Sequence, residues 1–214
     1  MRYKLIIFDM DGTILNTIQD LADGVNYGLR ACSLPERTLE EVTHIVGNGI
    51  QRTIELCAPA GTDSAILTEI HKNFTSYYRL HNTDHTHAYE QIPELLLELR
   101  NRGYLLAVVS NKADYAVKEL CDRYFYGLFD AAYGSLPQYA RKPAPDLVWK
   151  AIDSLGLQKD DVLYIGDSEV DLKTAHNAQI PCISVSWGFR SAEELKKAGA
   201  KIILSQPFDL FSYL

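Results

Sequence analysis

Residues 7–17 read IFDMDGTILNT, and this stretch decides which fold the chain can adopt. Residues 3–8, which lead into it, are apolar apart from one charge. A run of this kind predicts a strand buried on both faces of a parallel sheet, and Gly12 ends that strand. Asp9 and Asp11 are therefore expected at the carboxyl end of the strand, where open α/β sheets bind ligands. Two carboxylates so close together need a cation or a shared proton, and Mg²⁺ is the simplest answer.

The same two aspartates also have a purely structural interpretation. They could form an Asx turn and a helix cap, with Thr13 and Thr17 helping the chain into the next helix. The stretch by itself leaves both interpretations open. The motifs further along the chain decide between them.

Composition and charge exclude several classes of protein. The 214 residues have room for one sizeable α/β domain, or for a domain that carries a smaller inserted one. Hydrophobic residues make up 47% and charged residues 23%, which is typical of a globular protein. A net charge of −7 argues against a nucleic-acid surface, and no apolar stretch reaches the length of a membrane span. We therefore expect neither nucleic-acid nor membrane partners.

The cysteines indicate the compartment. Four of them are scattered along the chain without a CxxC pair or a zinc-type spacing, so they are predicted to be buried thiols. Free thiols and the lack of a long apolar N-terminal region predict a cytoplasmic protein. The sequence does not fix the oligomeric state, and we expect a monomer or a homodimer.

The order of the predicted elements gives an α/β fold with an insertion. Residues 16–83 show helical periodicity without an intervening strand, which predicts an inserted all-helical cap domain. Residues 81–87 contain three histidines in a short polar segment, which favours a solvated hinge over a zinc site. From residue 92 onward strands and helices alternate, which predicts a doubly wound parallel sheet, a Rossmann-like core made of residues 1–15 and 84–214.

Polar residues follow three further predicted strands or their loops. Ser110 ends the strand predicted over 104–110, and Asn111 follows it. These two residues could hold phosphoryl oxygens or simply cap the next helix. Lys142 lies in a proline-rich turn, as a cation for the site or as a surface charge. Asp167 directly follows the strand predicted over 162–166, and Asp171 begins the next predicted helix. Asp171 could also be a plain acid at a helix start.

Together with residues 9–13, DMDGT, these motifs occur in an order that resembles the haloacid dehalogenase-like phosphohydrolases over essentially the whole chain. The resemblance implies a Mg²⁺-dependent phosphatase that acts on a small phosphate ester through an aspartyl-phosphate. The resemblance implies that Asp9 is the nucleophile and a metal ligand, and that Asp11 is the general acid and base and binds the metal through its backbone carbonyl. It also implies that Asp167 is a metal ligand supported by Asp171. The residues implied to contact the phosphoryl group are Ser110, Asn111 and Lys142.

Three shorter segments look like the phosphoglycolate phosphatase branch of this family: residues 46–49, 110–112 and 185–188. In the first of them Gly47, Asn48 and Gly49 open a predicted helix, and Arg52 follows one turn later. These four residues are predicted to bind the carboxylate of a substrate such as 2-phosphoglycolate, whereas the plainer interpretation is a helix start with a surface arginine. Two positions depart from the pattern of many relatives, namely Asn16 in place of Asp and Gln179 in place of a helix-ending glycine.

Other functions on the same core remain open from the sequence. A pyrophosphatase or a phosphosugar mutase would use the same motifs. A dehalogenase would have no leaving alcohol for Asp11 to protonate. A non-enzymatic phosphate- or protein-binding module would have no need of Asp9, Asp11, Lys142 and Asp167 together.

Overall fold

The structure, a computed structural model, describes residues 2–214 and shows two compact units. The first contains residues 2–15 and Ala88–Leu214, and the second contains Asn16–His87. The sequence predicts a core domain made of residues 1–15 and 84–214 and a cap domain made of residues 16–83, and these domain limits stay a prediction. The two units are described separately below.

The strands in chain order are β1 (Leu5–Phe8), β2 (Leu15–Asn16), β3 (His87–Ala88), β4 (Leu105–Ala113), β5 (Ala131–Ser135), β6 (Val162–Gly166), β7 (Cys182–Val185) and β8 (Ile203–Leu204). The α-helices are α1 (Ile18–Ala31), α2 (Leu39–Ile45), α3 (Ile50–Cys57), α4 (Ser64–His81), α5 (Ile92–Asn101), α6 (Asp114–Tyr124), α7 (Asp146–Ser154), α8 (Glu169–Ala178) and α9 (Ala192–Lys197). Short 3₁₀ helices cover Lys159–Asp161 and Pro207–Tyr213.

The first unit is built on a six-stranded sheet in the order β5-β4-β1-β6-β7-β8, and all neighbouring strands are parallel. The chain fills one side of β1 with β4 and β5 and then crosses to the other side for β6, β7 and β8. This is the predicted doubly wound α/β sheet, and it is confirmed. Strand β1 lies at the point where the direction of winding reverses, which is where such sheets form their ligand site.

Strand β1 is buried on both faces, as its continuous apolar sequence predicts. Ile6 and Phe8 pack in one hydrophobic cluster with helices α5 and α6, while Leu5 and Ile7 pack in another with α7 and α8. Successive side chains of a strand point to opposite faces, so one short strand contributes to both cores. Each of these buried side chains stabilises the fold by roughly 1.5–3 kcal/mol, and the carboxyl end of β1 is therefore held rigidly.

Strand β4 is longer than predicted. The sequence indicates an end at Ser110, but the strand continues to Ala113, with a shift in its pairing to β5 after Val109. Asn111 and Lys112 are buried in this extension and have polar partners there, which keeps the backbone extended. Lys112 therefore belongs to the strand, and helix α6 begins directly after it ends, at Asp114.

The second unit consists of helices α1 to α4, so the segment is helical as expected. The two-residue strands β2 and β3, which form a separate sheet at its ends, are too short to give a sequence pattern. Helices α1 and α4 approach closely because α1 carries two glycines on one face. A Cβ atom at Gly28 would lie 2.7 Å from the carbonyl oxygen of Ile70, and one at Gly24 would lie 2.9 Å from the ring of Phe74.

The histidine-rich segment is held by a buried aspartate from α1. Asp20 is 1% exposed, and its carboxylate accepts hydrogen bonds from the amides of His85 and Thr86, both at 2.9 Å, and from the Thr86 hydroxyl at 2.7 Å. Within residues 2–214 only His85 of the three histidines lies in a group of candidate metal ligands, beside Asp20 and Asp23. The three histidines are thus not gathered into one site.

Two further expectations concern the cysteines and the membrane. All four thiols are free, but only Cys57 and Cys121 are buried, and Cys32 and Cys182 are partly exposed, so the prediction of four buried thiols is half right. Across residues 2–214 the helices are too short or too polar for any of them to cross a bilayer.

Candidate active site

The register of the sheet brings three predicted site residues to one edge. Phe8, the last residue of β1, pairs with Val108 on one side and Ile165 on the other. Asp9 therefore lies level with Val109 and Gly166, the residues immediately before Ser110 and Asp167. The side chains of Asp9, Ser110 and Asp167 are buried at the carboxyl edge of the sheet.

Three buried carboxylates form a cluster at this edge. One oxygen from each of Asp9, Asp167 and Asp171 lies within 4.8 Å of the others. The backbone approaches Asp167 closely because Gly12 and Gly188 have no side chains, and a Cβ atom at either position would overlap the carboxylate. Gly12 also has a φ of +85°, which only glycine adopts readily.

Lys142 supplies the positive charge of this cluster. Its Nζ atom donates to Asp9 Oδ1 at 2.9 Å, to Asp171 Oδ1 at 2.8 Å and to the hydroxyl of Tyr164 at 3.0 Å. An ammonium has three N–H groups, so these contacts use all of them. With a side chain that is 2% exposed, Lys142 is a fixed part of the site and not the surface charge of the alternative interpretation.

The cluster carries more negative charge than its surroundings neutralise. Burial raises the pKa of Asp9 to about 7, and the negative charges of Asp171 and Asp11 add to that effect against the opposing charge of Lys142. Burial, together with Asp171 and Asp9, also raises the pKa of Asp167 well above its ordinary value. Burial disfavours the Lys142 ammonium, but Asp171 and Asp9 outweigh this and hold its pKa well above the usual range.

These properties fit a divalent cation. Three ionised carboxylates and one ammonium leave a net charge of −2, and hard oxygen ligands are those that Mg²⁺ prefers. Asp171 is the least available ligand, because Oδ1 accepts from Lys142 and Tyr164 while Oδ2 accepts from the amide and hydroxyl of Ser168. Asp9 accepts its hydrogen bonds on Oδ1, from Lys142 and its neighbouring amide, so Oδ2 is the oxygen left for a metal ion or a phosphorus atom.

Asn111 contacts the backbone of Lys142. Its side-chain Nδ2 donates to the Lys142 carbonyl at 3.0 Å and its Oδ1 accepts from the Lys142 amide at 2.8 Å, while its expected contact with the substrate stays a prediction. The side chain therefore fixes the loop that carries the lysine. An Asn that ends a strand gives no sequence signal for this pairing.

Tyr164, Tyr89 and Lys112 are site residues that the sequence did not reveal. Tyr164 lies within β6, where an aromatic residue reads as core, yet its hydroxyl contacts Lys142. Burial, with the charges of Asp167 and Asp11, raises the pKa of the Tyr89 phenol above its ordinary value. The Lys112 ammonium binds both carboxylate oxygens of Asp11, at 2.9 and 3.2 Å.

The residues predicted to bind the substrate carboxylate lie in the second unit. Gly47 and Gly49 have φ values of 135° and 83°, and Gly49 immediately precedes α3. The guanidinium of Arg52 donates to Glu55 Oε2 at 2.9 Å, and its side chain is about half exposed. Both interpretations of this loop, an anion site and a plain helix start, agree with these contacts.

Comparison with known proteins agrees with this geometry. A model of the haloacid dehalogenase-like hydrolase family matches residues 6–185. The phosphoglycolate phosphatase of Aliivibrio fischeri is 27% identical over 99% of this chain and 94% of its own length, and a 5'-nucleotidase of Pseudomonas aeruginosa is 29% identical over 92% and 88%. The solved structure of a provisionally named phosphoglycolate phosphatase from Lactobacillus delbrueckii subsp. bulgaricus is 34% identical, with a TM-score of 0.94 over 100% of this chain and 98% of that one.

Proposed function

The chain belongs to the haloacid dehalogenase-like hydrolase family and is a phosphatase, and on that premise we propose that it hydrolyses a small phosphate monoester through a phosphorylated Asp9. The first candidate substrate is 2-phosphoglycolate. A cytoplasmic location belongs to the same proposal, supported by the four free thiols.

The observation that carries the proposal is the environment of Asp9. Its carboxylate lies at the carboxyl edge of the sheet beside two further acids, and it is contacted by a buried ammonium that neutralises charge on a bound phosphoryl group. A structural aspartate in a turn needs neither neighbour. The arrangement instead suits a nucleophile next to a phosphate ester, whose ionised form the Lys142 charge favours and a bound cation would favour further.

The proposed reaction has two steps. In the first, a carboxylate oxygen of Asp9 attacks phosphorus, the bond from phosphorus to the ester oxygen breaks, and Asp11 gives a proton to the leaving alcohol. In the second, Asp11 takes a proton from a water molecule that attacks the same phosphorus, and the bond to Asp9 breaks. The products are one alcohol and one phosphate, and both aspartates return to their starting state.

Magnesium is the proposed cofactor. Asp9, Asp167 and the backbone carbonyl of Asp11 would hold the ion, and Asp171 would support them through Lys142 and Ser168. When bound, the ion supplies positive charge to the phosphoryl oxygens and offsets the repulsion within the acid cluster. Ser110, which is buried at the same edge, is assigned to a phosphoryl oxygen.

Two observations support a carboxylated substrate. Relatives of similar length are phosphoglycolate phosphatases, and the loop at Gly47, Asn48 and Gly49 combines flexible backbone with the nearby charge of Arg52. Binding a substrate carboxylate would replace Glu55 as the partner of Arg52. The relative named as a 5'-nucleotidase makes a nucleoside monophosphate the second candidate.

A substrate panel with Mg²⁺ tests the proposal. We expect the highest kcat/KM for 2-phosphoglycolate, compared with a nucleoside 5'-monophosphate, a sugar phosphate, pyrophosphate and p-nitrophenyl phosphate. Preference for pyrophosphate, or phosphoryl transfer between two sugar phosphates without release of phosphate, would replace the proposal by the corresponding alternative. Asp9→Asn is the control that excludes a contaminating phosphatase.

The role of Arg52 has its own test. Arg52→Ala should cost roughly 1–3 kcal/mol of transition-state binding for 2-phosphoglycolate and less for p-nitrophenyl phosphate, which has no carboxylate. Arg30→Ala is the matched control, because Arg30 is also exposed in this unit and paired with a glutamate, Glu36. Equal losses for both substrates would mean that Arg52 only supports its helix.

A further inference from the structure

Lys112 is a buried lysine that none of the expected motif roles explains. Its side chain is 4% exposed, and Nζ lies 2.9 Å from Asp11 Oδ1 and 3.2 Å from Asp11 Oδ2. Burying an ammonium costs free energy unless it is paired, and here the pair spans 101 residues of sequence. The contact therefore depends on the tertiary fold and involves the aspartate proposed as the general acid and base.

The two partners differ in how firmly they are held. Lys112 belongs to the extension of β4, and its amide donates to Ser110 Oγ at 3.3 Å. Its side chain is buried at this end of β4, where its ammonium reaches Asp11. Asp11, by contrast, lies in the turn after β1. Lys112 is thus the fixed partner, and Asp11 is the one that is oriented.

We propose that Lys112 is a positioning residue that orients the carboxyl group of Asp11 for proton transfer to the leaving alcohol. The proposal rests on the proposed function, because it takes Asp11 as the proton donor. The Lys112 ammonium contacts both oxygens of Asp11. In a protonated carboxyl group the oxygen without a proton is the better acceptor, so an ammonium favours that oxygen and the protonated oxygen is turned away from it.

Orientation of this kind changes some reactions more than others. A poor leaving group, such as the alkoxide of an alkyl ester, needs a proton as the ester bond breaks, whereas p-nitrophenolate leaves without one. Loss of a residue that orients the acid should therefore slow alkyl esters selectively. Loss of a residue that binds the phosphoryl group would slow every ester alike.

The experiment compares Lys112→Met with the wild type on the best alkyl ester of the substrate panel and on p-nitrophenyl phosphate, with Mg²⁺ present. We expect kcat/KM to fall on the order of 10- to 100-fold for the alkyl ester and less than about 3-fold for p-nitrophenyl phosphate. This ratio reports the first chemical step, so slow hydrolysis of the phosphorylated enzyme does not obscure the result. Lys118→Met, which removes an exposed lysine paired with Asp114, is the control for lost charge.

Two further variants complete the test. Asp11→Asn should show the same selectivity with a larger loss, and adding Lys112→Met to it should change kcat/KM less than about 2-fold, because the group to be oriented is gone. Lys112→Gln keeps a shorter hydrogen-bond donor, so it should regain part of the kcat/KM that Lys112→Met loses on the alkyl ester. It replaces Lys112→Met if that variant does not fold.

The possible failures are distinguishable. Equal losses on both esters in the lysine variants, with selectivity intact in Asp11→Asn, would overturn the positioning role and assign Lys112 to phosphoryl binding. Unchanged rates on both esters would assign it to stability alone. Absence of selectivity in Asp11→Asn would overturn the proposed acid, and the role of Lys112 with it.

Discussion

Two regions of the molecule bury aspartates in opposite ways. In the second unit, Asp20 accepts three hydrogen bonds from His85 and Thr86, and its carboxylate has no need of further charge. At the sheet edge of the first unit, three aspartates are clustered and one lysine contacts two of them, Asp9 and Asp171, while burial raises the pKa values of Asp9 and Asp167. A buried carboxylate that accepts enough hydrogen bonds stabilises the fold, whereas several buried carboxylates close together repel one another until a cation binds between them.

The comparison predicts that stability and activity respond oppositely at the two sites. Burial of negative charge at the sheet edge reduces stability and serves chemistry, while the charge of Asp20 contributes stability. Five measurements examine this contrast, from the largest expected effect to the smallest.

The largest effect is expected for Asp9→Asn. The amide cannot form an acyl phosphate, so kcat should fall by at least about 10⁴-fold. Tm in the absence of metal should stay the same or rise, because a repelled buried charge disappears. Turnover above about one hundredth of the wild-type rate would contradict the role of Asp9 as nucleophile.

The pH dependence of stability gives the next effect. The folded pKa of Asp9, about 7, is raised from the ordinary 3.8, so between these values the folded state binds more protons than the unfolded chain. Stability from this group is fully present below about pH 4 and is lost as the pH rises to about 7. For the metal-free protein, the free energy of unfolding of the wild type should fall relative to Asp9→Asn by on the order of 1–4 kcal/mol over this window. Denaturant titrations measure it, and a rise would reverse the sign that we infer.

Asp20→Asn tests the second unit. The NH₂ group of the new asparagine would point a hydrogen-bond donor at the N–H and O–H donors of His85 and Thr86. The free energy of unfolding should therefore fall by about 2–3 kcal/mol. Asp23→Asn is the matched control, because Asp23 is a partly exposed aspartate on the same helix, and it should change stability by less than about 0.5 kcal/mol. Equal effects of the two substitutions would remove the distinction between Asp20 and a surface charge.

Magnesium should stabilise the folded protein by binding at the acid cluster of the sheet edge and not at Asp20. At a concentration of 100 times the Kd, a single ion that binds only the folded state adds about 2.7 kcal/mol, and a chelator should remove both this gain and the activity. Thermal unfolding with and without Mg²⁺ measures the gain, which Asp167→Asn should abolish and Asp20→Asn should retain. Stabilisation that survives in Asp167→Asn would place the ion elsewhere.

The smallest effect is expected for Tyr164→Phe, which removes one of the three partners of the Lys142 ammonium. Loss of this hydrogen bond should cost about 1 kcal/mol of stability and lower kcat several-fold, with KM nearly unchanged. A change in KM alone would mean that the hydroxyl affects binding of substrate and not the orientation of the lysine.

The sequence predicted the sheet more completely than the site. The apolar run before Asp9 and the later alternation of strands and helices were sufficient for the doubly wound fold, because burial on both faces leaves a continuous pattern. Gln179 shows a smaller success: it adopts the left-handed conformation with which α8 ends, in the place where a glycine would be easier. The end of β4 was missed, because the polar residues from Ser110 to Lys112 look like a turn when their partners are unknown.

The order of Asp9, Ser110, Lys142 and Asp167 along the chain, and their positions close to the ends of apolar strands or in the loops that follow, were determined by the sequence alone, since a break in an apolar run marks where a buried strand gives way to polar residues. Only the tertiary structure decided which charges meet. Lys142 reaches Asp9 because Asn111 holds its loop and Tyr164 contacts its ammonium, and Lys112 reaches Asp11 from the extension of β4 beyond its pairing with β1. The members of these pairs are 22 to 133 residues apart, and no local pattern records a contact that only the packing of the sheet creates.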